Sequence, residues 1–191
     1  MYYIKTTVRG IVPVCFNKPS EQLQVQIETG QTGGPRDKDK DIAEAEAWVY
    51  KDANGLYLPA SWFKAAMLTG ASKANLKRGR LAFSTYLKGG VFFVDRAIPT
   101  GKQTREFMHE RWGRIPPGPK GKMAWLRNPG LMEGWEVTFR MLVAEDSLPE
   151  AHIKTSLETA GISVGIGNGR PDFGRFVIVE WTRHAAEPPL N

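Results

Sequence analysis

The sequence predicts an α+β fold of one domain, in which antiparallel strands pack against helices on one side. Residues 2–8 and 175–181 are rich in β-forming residues, and 135–143 alternates apolar with polar residues at the period of a half-buried strand. Apolar residues at helical spacing follow Ser61 and Ser147. With 191 residues and 41% hydrophobic content, the chain is long enough to bury a core without a disulfide or a metal ion.

The first half of the chain is predicted to contain strands, an exposed loop and a helix. Residues 30–41 are rich in glycine and then alternate in charge with no apolar residue, which is typical of a mobile loop. The turn at 52–55 joins two strands into a hairpin. Ser61 is the predicted N-cap of a helix that ends between Gly70 and Lys73. The predicted strands are 2–8, 22–28, 45–50 and 56–58.

The second half is predicted to contain a core strand, a basic insertion and a strand–helix–strand unit. The basic stretch after the first helix turns apolar toward a core strand at 91–94. Regular periodicity is absent over 100–130, which we interpret as an insertion. Ser147 is the predicted N-cap of a helix that runs to about Ala160. The remaining elements are the strands 135–143 and 175–181, which complete a domain over 1–183, and a loose tail over 184–191.

Positive charge is concentrated in the middle of the chain. The net charge is +6, but 14 Lys and Arg stand against three acidic residues between Lys64 and Arg127, and the rest carries 12 basic and 17 acidic residues. Clustered cations bind a polyanion through counterion release, so this distribution favours nucleic acid as the partner. A solvated basic face, or a surface that meets an acidic protein, is the alternative.

The 100–130 insertion interleaves aromatic residues with cations and carries seven Lys and Arg against two Glu. Rings beside cations are typical of grooves that bind single strands, because bases stack on the rings and phosphates contact the cations. The stacking candidates are Phe107, Trp112 and Trp125. Packing in a core explains each of these rings equally well.

Residues 161–176 contain five glycines between the last helix and the last strand. Glycines at this spacing allow positive φ angles and a close approach of the backbone to a ligand, and Arg170 and Arg175 suit phosphate contact. A tight helix-to-strand connection is the alternative. The glycines follow a helix and lack a Gly-Lys-Ser/Thr ending, which excludes a dinucleotide fingerprint and a P-loop.

Three short motifs follow one another along the chain: Arg9-Gly10-x-x-Pro13, the segment LPASWFKAA at 58–66, and Phe173-Gly174-Arg175-Phe176. In this order they resemble the motifs of the RAMP superfamily. The resemblance is to backbone subunits of CRISPR effector complexes and to their short phage-borne relatives. It implies a ferredoxin-like, RRM-related sheet and a subunit that coats guide RNA beside copies of itself. It also implies a thumb-like role for 100–130. The chain is shorter than typical backbone subunits, which leaves a phage single-stranded DNA-binding protein of the same fold open.

The predicted nucleic-acid-binding residues combine these signals. Cations would contact phosphates, tryptophans would stack on bases, and the glycine-rich loop would approach the backbone of the strand. The predicted set is Arg9, Lys64, Lys73, Lys77, Arg78, Arg80, Lys102, Arg105, Arg111, Trp112, Arg114, Lys120, Lys122, Trp125, Arg127, Gly165, Gly167, Gly169, Arg170 and Arg175.

No pattern in the sequence predicts catalysis, a metal site or a cofactor. Cys15 has no neighbouring base, and the three histidines lack ligand spacing, so we expect them at the surface. They are His109, His152 and His184. Three aspartates alternate with lysines but lack the glycine and glutamate of a calcium loop, so we expect a solvated loop. They are Asp37, Asp39 and Asp41. The resemblance implies an alternative, because some RAMP subunits cut RNA with a loop aspartate: a metal-dependent endoribonuclease.

We therefore expect a non-catalytic protein that binds single-stranded nucleic acid, RNA rather than DNA, without sequence preference, and that oligomerises along the strand. The single cysteine predicts a reducing, cytoplasmic compartment, and no apolar run reaches the roughly 18 residues of a membrane span. Residue types do not distinguish RNA from DNA, because the distinction depends on 2′-hydroxyl contacts.

Overall fold

The computed structural model describes residues 1–18, 46–114 and 123–190. Within these ranges the chain forms one main sheet, smaller sheets and three helices. The strands are β1 (Tyr2–Gly10), β2 (Val14–Cys15), β3 (Lys51–Asp52), β4 (Gly55–Pro59), β5 (Lys77–Arg78), β6 (Leu81–Ala82), β7 (Val91–Phe93), β8 (Ala97–Pro99), β9 (Phe107–Arg114), β10 (Met123–Leu131), β11 (Glu136–Val143) and β12 (Phe176–His184). The helices are α1 (Ala60–Lys73), α2 (Phe83–Gly90) and α3 (Glu150–Ser163).

The main sheet has the strand order β12-β1-β11-β7, and every neighbouring pair is antiparallel. Along the chain these strands alternate with the two longer helices as β1-α1-β7-β11-α3-β12. This is the βαββαβ arrangement of the ferredoxin-like fold, with the first and third core strands adjacent at the centre. The predicted α+β class with an antiparallel sheet is therefore confirmed.

The inner face of the sheet is apolar because buried and more exposed residues alternate along its central strands. In β1, Ile4 and Val8 are buried and the residues between them alternate between the two faces, and β11 repeats the pattern. Phe63 of α1 packs against Phe139 and Phe176, with ring centroids 4.9 and 5.6 Å away. The helices therefore cover the inner face, and the opposite side of the sheet is its outer face.

Helices α1 and α3 meet at Gly70. A Cβ atom at this position would lie 2.3 Å from the carbonyl oxygen of Ser156 and 2.7 Å from the amide nitrogen of Ala160. Both neighbours are backbone atoms of α3 and cannot move aside without moving the helix. Glycine is therefore required for the two helices to pack this closely.

A long β-hairpin forms within the segment predicted to be irregular. Strands β9 and β10 pair from Phe107 opposite Gly130 to Arg114 opposite Met123, and β2 extends this sheet on the other edge of β10. Charged residues, Gly and Pro interrupt the apolar alternation of both strands, so the strand period is not evident in the sequence. The prediction of an insertion without regular periodicity is therefore wrong for this hairpin.

A second difference concerns the stretch before β7, which forms α2 instead of leading directly into a strand. Phe83 and Leu87 stand four residues apart, and both are buried in the core. Burial of this short apolar face outweighs the β-forming tendency of its aromatic residues. The core strand itself is present as β7 and is one residue shorter than predicted.

The longer helices begin at prolines. Pro59 and Pro149 occupy the N-cap positions with φ angles of −64° and −63°. The predicted caps Ser61 and Ser147 are wrong. Ser61 lies inside α1, and the Ser147 hydroxyl accepts a hydrogen bond from Arg78 at 3.0 Å.

Two other predicted strands have different outcomes. The predicted strand at 45–50 is wrong for 46–50, which form no strand, and β3 covers only the two following residues. The predicted strand 22–28 and the loop 30–41 lie outside the described residues. No helix in the ranges that the structure describes is long and apolar enough to cross a bilayer.

Candidate nucleic-acid interface

The glycine-rich loop between α3 and β12 follows a path that requires glycine. The φ angles are 73° at Gly165, 74° at Gly167, 76° at Gly169 and 73° at Gly174. Side chains at these angles are strained, so the glycines permit this path. The positive φ angles anticipated for the loop are therefore present.

The close approach that these glycines permit is to the chain's own backbone. A Cβ at Gly174 would lie 1.9 Å from the carbonyl oxygen of Ile166, and one at Gly167 would lie 2.4 Å from that of Cys15. The amide of Asn168 also donates to the Cys15 carbonyl at 2.9 Å. Protein atoms likewise occupy the Cβ positions of the other two predicted contacts, Gly165 and Gly169. The glycines therefore allow the loop to pack against the chain, and the other residues of the loop supply the side chains at its surface.

Two arginines of the loop have different surroundings. Arg170 is exposed and makes no hydrogen bond or ion pair within the described residues. Arg175 is half-buried, and its Nε atom is buried with no hydrogen-bond partner in that part of the chain. Arg170 is therefore the loop cation whose whole guanidinium group can reach a phosphate.

The β9–β10 hairpin is joined to the glycine-rich loop by two side-chain contacts. Nδ2 of Asn168 donates to Oδ1 of Asn128 at 2.8 Å, and the rings of His109 and Phe173 are 4.7 Å apart. Asn128 is registered opposite His109, so both contacts come from one face of the hairpin. The hairpin and the loop form one continuous surface.

Arg111 and Trp112 lie on opposite faces of the hairpin. Arg111 is two residues from His109 and therefore shares the face beside the loop. It is exposed and has no hydrogen bond or ion pair among the described residues. Trp112 is 55% exposed on the other face, and Trp125, registered opposite it, has a side chain outside the described part. We call the set His109, Arg111, Asn128, Asn168 and Arg170 the hairpin–loop surface.

Phe107 is a packing residue. A Cβ at Gly130 would lie 2.4 Å from the Phe107 ring, and the ring is only partly exposed. The ring therefore covers the backbone of the neighbouring strand. Of the two alternatives for this residue, packing is the one that its contacts favour.

Lys64, one of the predicted phosphate contacts, makes its hydrogen bonds within the fold. Its ammonium group donates to the carbonyl oxygens of Leu87 and Val91. These carbonyls stand at the C-terminal end of α2, where carbonyl groups carry partial negative charge, and the carbonyl of Leu87 also accepts from the amide of the C-cap residue Val91. Burial lowers the pKa of Lys64 to about 8. Lys64 therefore fastens α1 to the end of α2.

Six of the other predicted cations also pair with groups of the chain itself. Lys73 donates to the carbonyl oxygen of Ser163 at 2.8 Å. Arg78 lies 3.4 Å from the carboxylate of Glu145 and 4.9 Å from the ring centroid of Tyr86. Carboxylates of the described residues pair with Arg9, Lys102, Arg105 and Arg127. These cations hold the fold together, and their contacts compete with any phosphate.

Lys77 and Arg80 form a separate basic site. Both are exposed on the β5–β6 hairpin and make no hydrogen bond or ion pair within the described ranges. Helix α1, with 14 residues and about 20 Å long, separates this hairpin from the glycine-rich loop, which Trp62 contacts. The remaining predicted cations, Lys120 and Lys122 and the side chain of Arg114, lie outside the described residues.

The described residues contain no group of His, Cys, Asp and Glu that could hold a metal ion. Burial raises the pKa of the Cys15 thiol to about 12, which keeps it protonated. His152 packs edge-on against Phe83 with centroids 5.0 Å apart, so the predicted surface position is wrong for it. The candidate aspartates Asp37, Asp39 and Asp41 lie outside the described residues.

The sequence analysis missed Asn128 and Asn168, which join the hairpin to the loop. Asn128 is only 4% exposed, so its side-chain oxygen needs the hydrogen bond from Asn168 in place of one from water. The signals are weak, because Asn128 merely precedes Pro129 and Asn168 lies between two glycines. A turn explains both positions equally well, and only the folded structure shows that the two amides meet.

No protein-family model matches the chain, and no curated protein matches it. Solved structures match its fold. A chain of the Type III-B Cmr-beta bound to cognate target RNA, determined by cryo-EM, has a TM-score of 0.60 and 13% sequence identity, covering 97% of this chain and 61% of that chain. Cmr6 from Pyrococcus furiosus has a TM-score of 0.48 and 10% identity, covering 92% of this chain and 96% of that chain.

The present chain therefore spans about 61% of the length of the Cmr-beta chain that it matches. The match is one of fold, since sequence identity is 13%. It confirms the ferredoxin-like fold that the resemblance of the three motifs implies.

Proposed function

We propose that this chain is an RNA-binding subunit of a CRISPR-type ribonucleoprotein and that it contacts single-stranded RNA through the hairpin–loop surface. The fold match supports the proposal, because the Cmr-beta structure was determined with target RNA bound. The motif resemblance supports it further, since it is to subunits that coat a guide RNA. The proposed role is non-catalytic and independent of sequence, with several copies arranged along one strand.

The observation that carries the proposal is the pair of exposed arginines, Arg111 and Arg170, which have no ion pair in the described part of the chain. Arg111 is two residues from His109, and Arg170 is three residues from Phe173, and these two rings contact each other. Guanidinium groups bind phosphates through paired hydrogen bonds. Two such groups beside fixed rings suit the sugar-phosphate chain of an unpaired strand.

The rigidity of this surface also supports a binding role. The Asn128–Asn168 hydrogen bond and the backbone contacts of the glycine-rich loop hold both arginines on fixed supports. A surface that is already ordered loses less conformational entropy when it binds a flexible strand. The surface is therefore suited to ordering a strand that has no structure of its own.

The experiment is a titration of purified protein against a labelled strand of about 40 nucleotides, as RNA and as DNA, across a salt series. Light scattering gives the number of protomers per strand. We expect RNA to bind more tightly than DNA, the dissociation constant to rise steeply with salt, and several protomers to occupy one strand. A duplex RNA of the same length is the control and should bind more weakly.

Other outcomes would replace this proposal with a specific alternative. Tighter binding to DNA would favour the phage-type single-stranded DNA-binding protein. Cleavage of RNA with a divalent metal, lost when Asp37, Asp39 and Asp41 are all changed to Asn, would favour the endoribonuclease. Absent or salt-insensitive binding would overturn nucleic-acid binding and favour an acidic protein partner.

A further inference from the structure

The outer face of the main sheet carries a row of apolar and aromatic side chains that crosses all four strands. Phe92 of β7 is registered opposite Leu142 of β11, Leu142 opposite Tyr3 of β1, and Tyr3 opposite His184 of β12. Phe92 is 49% exposed, and the other three are partly exposed. The row lies on the side of the sheet away from the helices, because Tyr3, Leu142 and Phe92 alternate with buried residues of their strands and His184 is registered opposite Tyr3.

A cation stands next to this row in a fixed orientation. Arg140 of β11 lies two residues from Leu142 on the same face, and Lys5 is registered opposite it. Nε and Nη2 of Arg140 donate to the carboxylate of Asp95 at 3.2 and 2.6 Å. Because Asp95 holds these two nitrogens, Nη1 is the atom that the guanidinium presents to an occupant of the outer face.

The C-terminal segment 185–190 is the present occupant. Nη1 of Arg140 donates to a carboxylate oxygen of Glu187 at 3.0 Å and to the carbonyl oxygen of Pro188 at 2.9 Å. Pro188 is buried. Residues 184–191 were predicted to be a loose tail, and these contacts fix part of that tail on the sheet.

The segment must cross β1 to make these contacts. β12 ends at His184, and Arg140 lies on β11, two strands away. Two strand spacings are about 10 Å, a distance that residues 185–187 and the long side chain of Arg140 bridge together. The contacts therefore bring the segment from the β12 edge toward β11, across the position of β1 in the sheet.

We propose that this outer face is a second binding surface for single-stranded RNA and that segment 185–190 covers it until RNA displaces the segment. The present occupant has the chemistry of such a ligand. It offers a carboxylate and a carbonyl oxygen where phosphate oxygens would accept from Nη1 of Arg140, and the neighbouring row carries rings on which bases can stack. A four-stranded sheet of this topology that stacks two or three bases on its outer aromatic residues is an established mode of RNA recognition.

The charges of the outer face locate the site at one end of the sheet. Glu180 and Glu136 lie at the far end of the face, where they contact Thr7 and Arg9. The row of Phe92, Leu142, Tyr3 and His184 is remote from these carboxylates along the strands. Nε2 of His184 is buried without a hydrogen-bond partner among the described residues, which leaves a polar atom at the end of the row.

The test compares the full chain with a variant that ends at His184 and with Glu187→Gln. The probe is a labelled 10-nucleotide uridine RNA that contains one photoreactive 4-thiouridine. We expect the shortened variant to bind at least about five-fold more tightly, because stacking contacts become available, and to cross-link at Tyr3 or Phe92. Glu187→Gln, which removes only the competing charge, should tighten binding about two-fold.

Two further variants make the result specific. Tyr3→Leu together with Phe92→Leu in the shortened chain should abolish the gain, since leucine keeps the apolar character but not the ring. Unchanged affinity, or cross-links confined to the hairpin–loop surface, would overturn the inference. If the shortened chain no longer melts cooperatively, Glu187→Gln and cross-linking of the full chain decide the question in the same way.

The inference rests on the proposed RNA-binding function, but the two fail separately. Failure of the proposed function removes RNA binding by the full chain. Failure of the inference leaves that binding intact and removes only the gain on shortening and the cross-links at Tyr3 and Phe92.

Discussion

The cations beside the helices and those of the hairpin–loop surface are lysines and arginines that the sequence predicts alike as phosphate contacts, but they have different partners. Lys64 and Lys73 donate to backbone carbonyls, and Arg78 contacts Glu145. Arg111 and Arg170 have no such partner within the described residues. The same residue types therefore serve as structural contacts in one region and as available charge in the other.

This difference shows that counting charges along the sequence overestimates the number of cations that are available to bind a ligand. A helix terminus leaves carbonyls without partners, and a nearby lysine satisfies them at little cost because its stem packs against the helix. Arg111 on β9 and Arg170 in the glycine-rich loop make no such contact within the described residues. The two regions should therefore respond differently to the substitutions below.

The largest effect is expected for Gly174→Ala, in the loop that carries Arg170. The new Cβ would lie 1.9 Å from the Ile166 carbonyl oxygen, at a φ angle of 73°. A backbone clash and a strained angle act together, so we expect the free energy of unfolding to fall by at least about 3 kcal/mol. Urea unfolding followed by tryptophan fluorescence measures the change.

Gly79→Ala is the matched control for this substitution. Gly79 also has a positive φ, 62°, but nothing lies within 4 Å of the position of its Cβ. Only the strained angle remains, so the expected loss is about 1 kcal/mol. Equal losses for the two variants would contradict the close packing that holds the glycine-rich loop.

The next effect concerns RNA affinity. Arg111→Ala combined with Arg170→Ala should weaken binding of a single-stranded RNA by about ten-fold near 0.1 M salt, and should lower the salt slope by about 1.4. Fluorescence anisotropy across a salt series measures both quantities. Lys88→Ala combined with Lys154→Ala removes the same charge from α2 and α3 and should change the affinity less than two-fold. Equal effects of the two double variants would mean that RNA affinity depends only on the net charge of the protein.

Lys64→Ala tests the structural role of the cations beside the helices. Loss of the ammonium group removes the Lys64 donor from the carbonyls of Leu87 and Val91, of which only that of Leu87 also accepts from the Val91 amide. We therefore expect the free energy of unfolding to fall by about 1 to 2 kcal/mol. RNA affinity should stay within two-fold of the unmodified protein. Lys88→Ala, an exposed lysine on α2, is the control and should be nearly neutral.

The pH dependence sharpens this test. Burial lowers the pKa of Lys64 to about 8 from an ordinary value of 10.5, so the unfolded chain binds the proton more tightly than the folded one. Stability therefore rises as pH increases from about 8 to 10.5 in the unmodified protein and lacks this rise in Lys64→Ala. Weaker RNA binding by Lys64→Ala with unchanged stability would show that Lys64 is a ligand contact.

Local periodicity was enough to predict most of the fold. β1, β11, β12 and the longer helices α1 and α3 each show their period within a few residues, and the structure contains all five. α2 and the β9–β10 hairpin depend on packing and pairing partners that are distant in sequence. Their residues are locally ambiguous, so no window of sequence identifies them.

The candidate site was predictable only in composition. The basic stretch contains Arg111, but it also contains Lys64, and nothing in the sequence distinguishes the two. The Asn128–Asn168 hydrogen bond joins residues 40 positions apart. The row from Phe92 to His184 depends on the register of four strands, which the sequence alone does not set.

The smallest effect is expected at Glu106, at the base of the hairpin. Its carboxylate accepts from Lys102 at 2.7 Å and from the amide of Met132 at 2.8 Å. The hydrogen bond from Lys102 lowers the pKa of Glu106 below its ordinary value of 4.5. Since the folded state favours the charged form, the contribution is present above that value and is lost as pH falls through the lower pKa of the folded state.

Glu106→Gln should therefore destabilise the protein at pH 7 by about 0.5 kcal/mol, a small value because water screens a partly exposed ion pair. The difference from the unmodified protein should disappear in urea titrations carried out well below pH 4.5. Glu133→Gln, at an exposed carboxylate without a hydrogen bond or ion pair in the described residues, is the control. A difference that persists at low pH would mean that Glu106 acts through its shape and hydrogen bonds. In that case the hairpin that carries Arg111 would be held without help from charge.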